Sequence, residues 1–109
     1  MNNIAPDLPA EEARVLAVTQ GRLAGKAFEE TVSVAAWKTK PSWFIVTAED
    51  RVVSVELQSA SASRMKAKTK VIHASHMSLL SHPGEVVSVI EEAVAAGTAA
   101  ANRAESSPA

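Results

Sequence analysis

Trp43-Phe-Ile-Val-Thr-Ala-Glu-Asp-Arg51 is an apolar run that stops abruptly at two carboxylates and an arginine. Trp43, Phe44, Ile45 and Val46 are aromatic or β-branched, the side chains that fit a pleated surface. Pro41 disfavours helix at Lys40, so the chain enters the run extended. A short segment apolar at successive positions suits a strand covered on both faces, as in a parallel sheet flanked by helices. In such sheets ligands and reactive groups gather beyond the carboxyl ends of the strands. Glu49 and Asp50 stand at that edge, and the fold class read from this stretch is α/β.

Working forward, Ser54 is placed to cap a helix over residues 54–67, with Leu57, Ala60, Ser61, Arg64 and Met65 on one face. Residues 69–73, Thr-Lys-Val-Ile-His, give a second strand. Strand, helix and strand within about 30 residues form a right-handed crossover, which makes the two strands parallel. Ser81 or His82 then caps a closing helix with Pro83 in its first turn. Val86, Val89, Ile90, Ala93 and Val94 form its apolar stripe, and Gly97 stops it. The tail, residues 98–109, has little to bury and is expected to fray as a disordered end.

Working backward, residues 1–8 read as irregular and polar. A helix over residues 9–20 starts at Pro9, with Glu11 and Glu12 at the positive end of its dipole, and Gly21 ends it. A second, shorter helical piece covers residues 22–30, and residues 31–40 link it to the strand. The organisation is therefore an N-terminal helical segment and linker (residues 1–40), a βαβα unit (41–97) and the tail.

The bulk composition bounds the rest. The chain has 109 residues, enough for one small domain, and 47% of them are hydrophobic, enough for a core. A net charge of -1 supplies no positive field for nucleic acid or anionic lipid, so neither is an expected partner. No cysteines are present, which removes disulfides and thiolate sites. No apolar run approaches the ~20 residues that span a bilayer, and the amino terminus has no signal-peptide pattern. Cytoplasmic location is the expectation that follows.

Asp50 and His76 are the candidate catalytic pair, because each follows a strand of one parallel unit and both emerge at one edge. A carboxylate beside an imidazole fixes its tautomer and stabilises the imidazolium formed on proton uptake. Glu49 is the alternative acid, since either carboxylate can orient an imidazole. His73 and His76, with His82 nearby, make a weaker metal-site reading that lacks a helix to align them and a fourth ligand, so no metal or cofactor is expected. Trp37, Lys38, Lys40 and Trp43 mix cations with aromatics as single-strand binders do, but read better as flanks of a strand entry. Ser75 is adjacent to His76, and neighbouring side chains at a strand end point apart, which argues against it as a nucleophile.

Together the two stretches resemble the carboxyl-terminal part of α/β-hydrolase-fold esterases. Ala74-Ser-His-Met-Ser-Leu-Leu-Ser-His-Pro83 is similar to the histidine loop of the branch that holds plant methylesterases and hydroxynitrile lyases. Trp43 to Arg51 resembles the same branch's strand and acid turn, with a second acidic residue before the catalytic one. Asp7-Leu-Pro-Ala-Glu-Glu-Ala13 and Trp37-Lys-Thr-Lys-Pro-Ser-Trp43 look like bacterial members, from the end of the lid into the strand. The resemblance covers about residues 5 to 96 and implies Asp50 as triad acid and His76 as general base.

The fold's nucleophile sits in G-x-S-x-G after an earlier strand, and that motif does not occur here. Gly21-Arg-Leu-Ala-Gly25, the only glycines four apart, has leucine at its centre. After Asp50 the chain runs Val52-Val53-Ser54, where relatives often carry an apolar residue and prolines. The expectation is a partial α/β-hydrolase fold: two parallel strands, crossover and C-terminal helices, and a lid-derived N-terminal segment. It carries acid and histidine without the nucleophile half, is inactive alone, and takes a small ester when complemented. The alternative is a non-catalytic α/β interaction module or homodimer. Its partners would be a second copy or a complementary hydrolase half.

Overall fold

The computed structural model describes residues 2–107. Helix α1 (Ala10–Thr19) follows a turn-rich stretch, and strand β1 (Trp43–Thr47) comes after two single 3₁₀ turns, Gly25–Phe28 and Ala36–Lys38. Then come α2 (Val55–Arg64), β2 (Lys68–Ile72), the short α3 (Ser78–Ser81) and α4 (Pro83–Ser106). The helical piece expected over residues 22–30 contracts to the first of those 3₁₀ turns. Residues 20–34 are exposed throughout, so no packed face repays the cost of nucleating a longer helix.

β1 and β2 form a two-stranded parallel sheet in which Trp43 pairs with Lys68 and Thr47 with Ile72. Its hydrogen bonding runs past the strands: Ala48 N–H donates to Ile72 O at 2.9 Å and Glu49 N–H to Ala74 O at 3.1 Å. Both α2 and α4 pack on β1. Val46 and Thr47 are buried, and successive strand side chains point to opposite faces, so β1 is covered on both sides at its carboxyl end.

The core is small: Val46 and Ile72 from the sheet, Ala62 from α2, Ala74, Val89 from α4, and Ala5 and Leu8 from the N-terminal stretch. Burying Ala5 and Leu8 departs from the expectation of an irregular polar start. The radius of gyration is 17.4 Å, against roughly 13 Å for a compact chain of this length. Leu23, Phe28, Val32 and Val34 in the N-terminal segment, and Val71, Leu79, Ile90 and Val94 near the sheet and α4, are exposed. Much apolar surface therefore stays in water.

Three local readings change. The inner face of α2 carries Gln58 and Ala62, whereas Leu57 is exposed; a buried amide, not an apolar stripe, selects this face. α4 keeps Val86, Val89 and Ala93 inward but leaves Ile90 and Val94 exposed, because the two-stranded sheet is too narrow to cover the whole stripe. α4 also runs through Gly97 to Ser106 rather than stopping. Gly97 has no positive φ, and the alanine-rich segment after it has high helix propensity.

The α2–β2 turn is closed by Lys66, at a φ of 52°. Ala67 N–H donates to Ala62 O and Lys66 N–H to Ser63 O, the Schellman pattern that normally places glycine at this left-handed position.

Candidate active site

The two strands end side by side at Thr47 and Ile72, and the turns that follow bring Asp50, three residues on, to His76, four residues on. His76 Nδ1 lies 2.9 Å from Asp50 Oδ2. The Asp50 side chain is only 4% exposed, while that of His76 is 37% exposed, so a buried anion backs an accessible ring. Glu49 is exposed, and its N–H is spent on the ladder.

Asp50 is held from three sides. Its Oδ1 accepts the N–H groups of Val52 at 2.7 Å and Val53 at 2.9 Å, closing the turn. Its Oδ2 accepts the Thr47 hydroxyl at 2.8 Å as well as His76. Burial works against ionisation, but the Val53 N–H, His76, the Val52 N–H and the Thr47 hydroxyl outweigh it and hold the carboxyl at about 2. Asp50 is therefore a carboxylate across the working pH range. Facing an acceptor, a neutral His76 carries its proton on Nδ1, which leaves the Nε2 lone pair free to take a proton.

Gln58 braces the same turn from α2, which Ser54 caps through its hydroxyl, accepting from Leu57 N–H at 3.2 Å. The Gln58 Oε1 accepts Thr47 N–H at 2.8 Å, and its Nε2 donates to Val53 O at 2.8 Å and Thr47 O at 3.3 Å. The Thr47 hydroxyl has one proton and stands 2.8 Å from Asp50 Oδ2 and 3.1 Å from Gln58 Oε1. The shorter, charged acceptor takes it.

A second carboxylate holds Ser75, the residue before His76. Asp7 Oδ2 accepts Ser75 N–H at 2.9 Å, and Asp7 Oδ1 accepts the Ser75 hydroxyl. Desolvation raises its pKa, but the two Ser75 donors, with the Ser81 hydroxyl, bring it down to about 2. Ser75 is buried and its hydroxyl is turned to Asp7, away from the His76 ring. His82 Nδ1 is 2.9 Å from the Ser81 hydroxyl and 3.8 Å from Asp7.

His76 borders a concavity of about 250 Å³ lined by Phe44, Ile45, Val53 and Ser78 among others. With a carboxylate-oriented imidazole at its edge, this arrangement can shuttle a proton for an acyl-transfer reaction. A family model described as the alpha/beta hydrolase family matches residues 2–89. The chain belongs to the α/β hydrolase family. Neither a curated protein nor a solved structure matches it.

The two parallel strands and their helices are a partial version of that family's α/β arrangement. Among the described residues of this hydrolase-family chain, no three His, Asp or Glu side chains come together in a group that could hold a metal ion. His76 is taken up by Asp50 and His82 by Ser81, and His73 is exposed. The Trp37 ring is covered by its own cations, with Arg64 at 5.6 Å and Lys38 at 5.8 Å from the centroid. No helix among the described residues is long and apolar enough to cross a membrane.

Sequence reasoning missed Gln58, Thr47 and Asp7. Gln58 lay outside the face read as packed, and Asp7 meets Ser75 across a separation of 68 residues, beyond any local pattern. The one usable signal for Gln58 was its place one turn after the Ser54 cap, where a side chain reaches back to the acid turn.

Proposed function

We propose that Asp50 and His76 are the orienting acid and the general base of a hydrolase triad acting on small carboxylic esters. The observation that carries the reading is the 2.9 Å contact between the buried Asp50 carboxylate and His76 Nδ1. Membership of the α/β hydrolase family supports it, as does the similarity of both loops to the methylesterase and hydroxynitrile lyase branch. G-x-S-x-G does not occur in the 109 residues. A nucleophile must therefore come from polypeptide outside them, a complementary hydrolase segment being the partner this requires. An acid and a histidine alone have nothing to activate.

The test is hydrolysis of p-nitrophenyl acetate by the chain and by its His76→Ala and Asp50→Ala variants. We expect all three to stay at the imidazole background. Turnover that both substitutions abolish would reveal a nucleophile within these residues and overturn the division of the triad.

The second reading is a non-catalytic α/β interaction module that self-associates. The exposed Val71, Leu79, Ile90 and Val94 favour it, because large apolar side chains left in water suit burial against a partner. Sedimentation separates the two: a stable homodimer that gains no activity from a nucleophile-bearing segment would favour the module.

A further inference from the structure

Among the described residues the His76 ring has one side-chain hydrogen-bond partner, Asp50, yet the backbone on either side of it is tied to a distant part of the chain. Before it, Ser75 donates its N–H at 2.9 Å and its hydroxyl to Asp7, and the hydroxyl also lies 3.4 Å from Ile4 O. After it, Met77 N–H donates to Ile4 O at 3.3 Å. The same stretch reaches the acid turn, where Arg51 Nη1 donates to Asn2 O at 3.2 Å. Ala5, between these contacts, is buried. Residues 2–7 thus form a strap across both loops that meet at the Asp50–His76 contact.

We propose that this strap positions His76, with Asp7 as the latch that fixes the histidine loop against the acid turn. The inference rests on reading His76 as the general base. A histidine at the end of a strand is useful only if its ring stays within hydrogen-bond reach of the acid and its free nitrogen stays aimed at the substrate. The loop carrying it has no regular structure from His73 to Met77, and its backbone bond to the acid turn, Glu49 N–H to Ala74 O, stops two residues short of His76. Asp7 supplies what is missing. An ionised carboxylate receiving an N–H and an O–H from one residue makes two charge-assisted bonds, roughly twice as strong as neutral ones. Asp7 touches neither a substrate nor the ring, so it is a positioning residue.

The experiment is NMR of the full chain, unchanged and as Asp7→Ala and the milder Asp7→Asn, which keeps one acceptor oxygen. Two readouts are taken: the downfield His76 Nδ1–H resonance with the ring titration, and amide exchange at Ser75 and Met77. In Asp7→Ala we expect exchange at both amides to quicken by at least about ten-fold, and the Nδ1–H resonance to broaden or move. Val46 and Ile72 amides should stay protected, and Asp7→Asn should fall between. A ring unchanged in both variants while the amides open would overturn the positioning role. Ring and amides both unchanged would overturn the strap itself. If Asp7→Ala exposes Val46 and Ile72 as well, the decision passes to Asp7→Asn on the same criteria. Loss of the catalytic reading shows separately. In that case the unchanged chain lacks an Nδ1–H resonance that Asp50→Asn removes, and the exchange arm alone decides whether the strap holds the loop.

Discussion

Gln58 Oε1 and the backbone N–H of Thr47 are 2.8 Å apart, a buried amide from α2 capping the last residue of β1. The opposite end of the same amide holds Val53 O at 2.8 Å, so one side chain spans the turn that presents Asp50. The consequence is a specific sensitivity of the site to a residue that touches no reacting group.

Gln58→Leu keeps the volume but leaves Thr47 N–H and Val53 O buried without partners. It should cost about 2–4 kcal/mol, read as a lower urea midpoint with an unchanged m-value. The His76 Nδ1–H resonance should weaken in the same variant. A midpoint shift below about 0.5 kcal/mol would mean water replaces the amide.

Acid should unfold the chain through Asp7 and Asp50 together. Both are held at about 2 against an ordinary 3.8, and their side chains are 20% and 4% exposed. Because the folded values lie below the unfolded ones, the stabilisation is full above about pH 4 and is lost as pH falls through about 2. Each contributes about 2 kcal/mol by that linkage. Urea titrations at about pH 6, 3 and 2 should show the loss, and the Asp7→Asn, Asp50→Asn double variant should flatten it. A stability equal at all three pH values in the unchanged chain would refute the assignment.

Two backbone positions carry the wrong residue for their conformation. Lys66 occupies a left-handed φ of 52° where glycine is at no disadvantage, and Gly97 sits in mid-helix with open space for a Cβ. Lys66→Gly and Gly97→Ala should each stabilise by roughly 0.5–1 kcal/mol. The first is read from the denaturation midpoint. The second should show mainly as added ellipticity at 222 nm, because residues 98–106 are exposed and their helix frays independently of the core. No gain in ellipticity would mean the end of α4 is already rigid.

The apolar surface beside the sheet should drive association. Sedimentation at micromolar concentration is expected to show a dimer or larger species, and a hydrophobic dye should bind it. Ile90→Glu with Val94→Glu, both exposed on α4, should shift the population to monomer without loss of helix. A monomer that binds no dye and unfolds cooperatively would count against both the complementation and the module readings.

Much of this was legible because it is local. The aromatic and β-branched run to Val46, the cap at Ser54, Pro83 at the start of α4 and the strand ends that carry Asp50 and His76 each follow from a few neighbouring residues. Gly97 misled, since a glycine marks a helix end only when the chain turns left-handed there, and here the alanines beyond it favour continuation.

The sequence by itself determined that two parallel strands deliver an acid and a histidine to one edge, because side-chain periodicity and crossover length leave little choice. Only the tertiary structure decided which carboxylate meets the ring, and that Gln58 and Asp7 hold the two loops in place. The turn after β1 sets the first, since it folds back onto the Asp50 carboxylate and leaves Glu49 exposed. The others depend on hydrogen bonds that close only after α2 docks on β1 and residues 2–7 return across the sheet edge, contacts that leave no periodic trace in the chain.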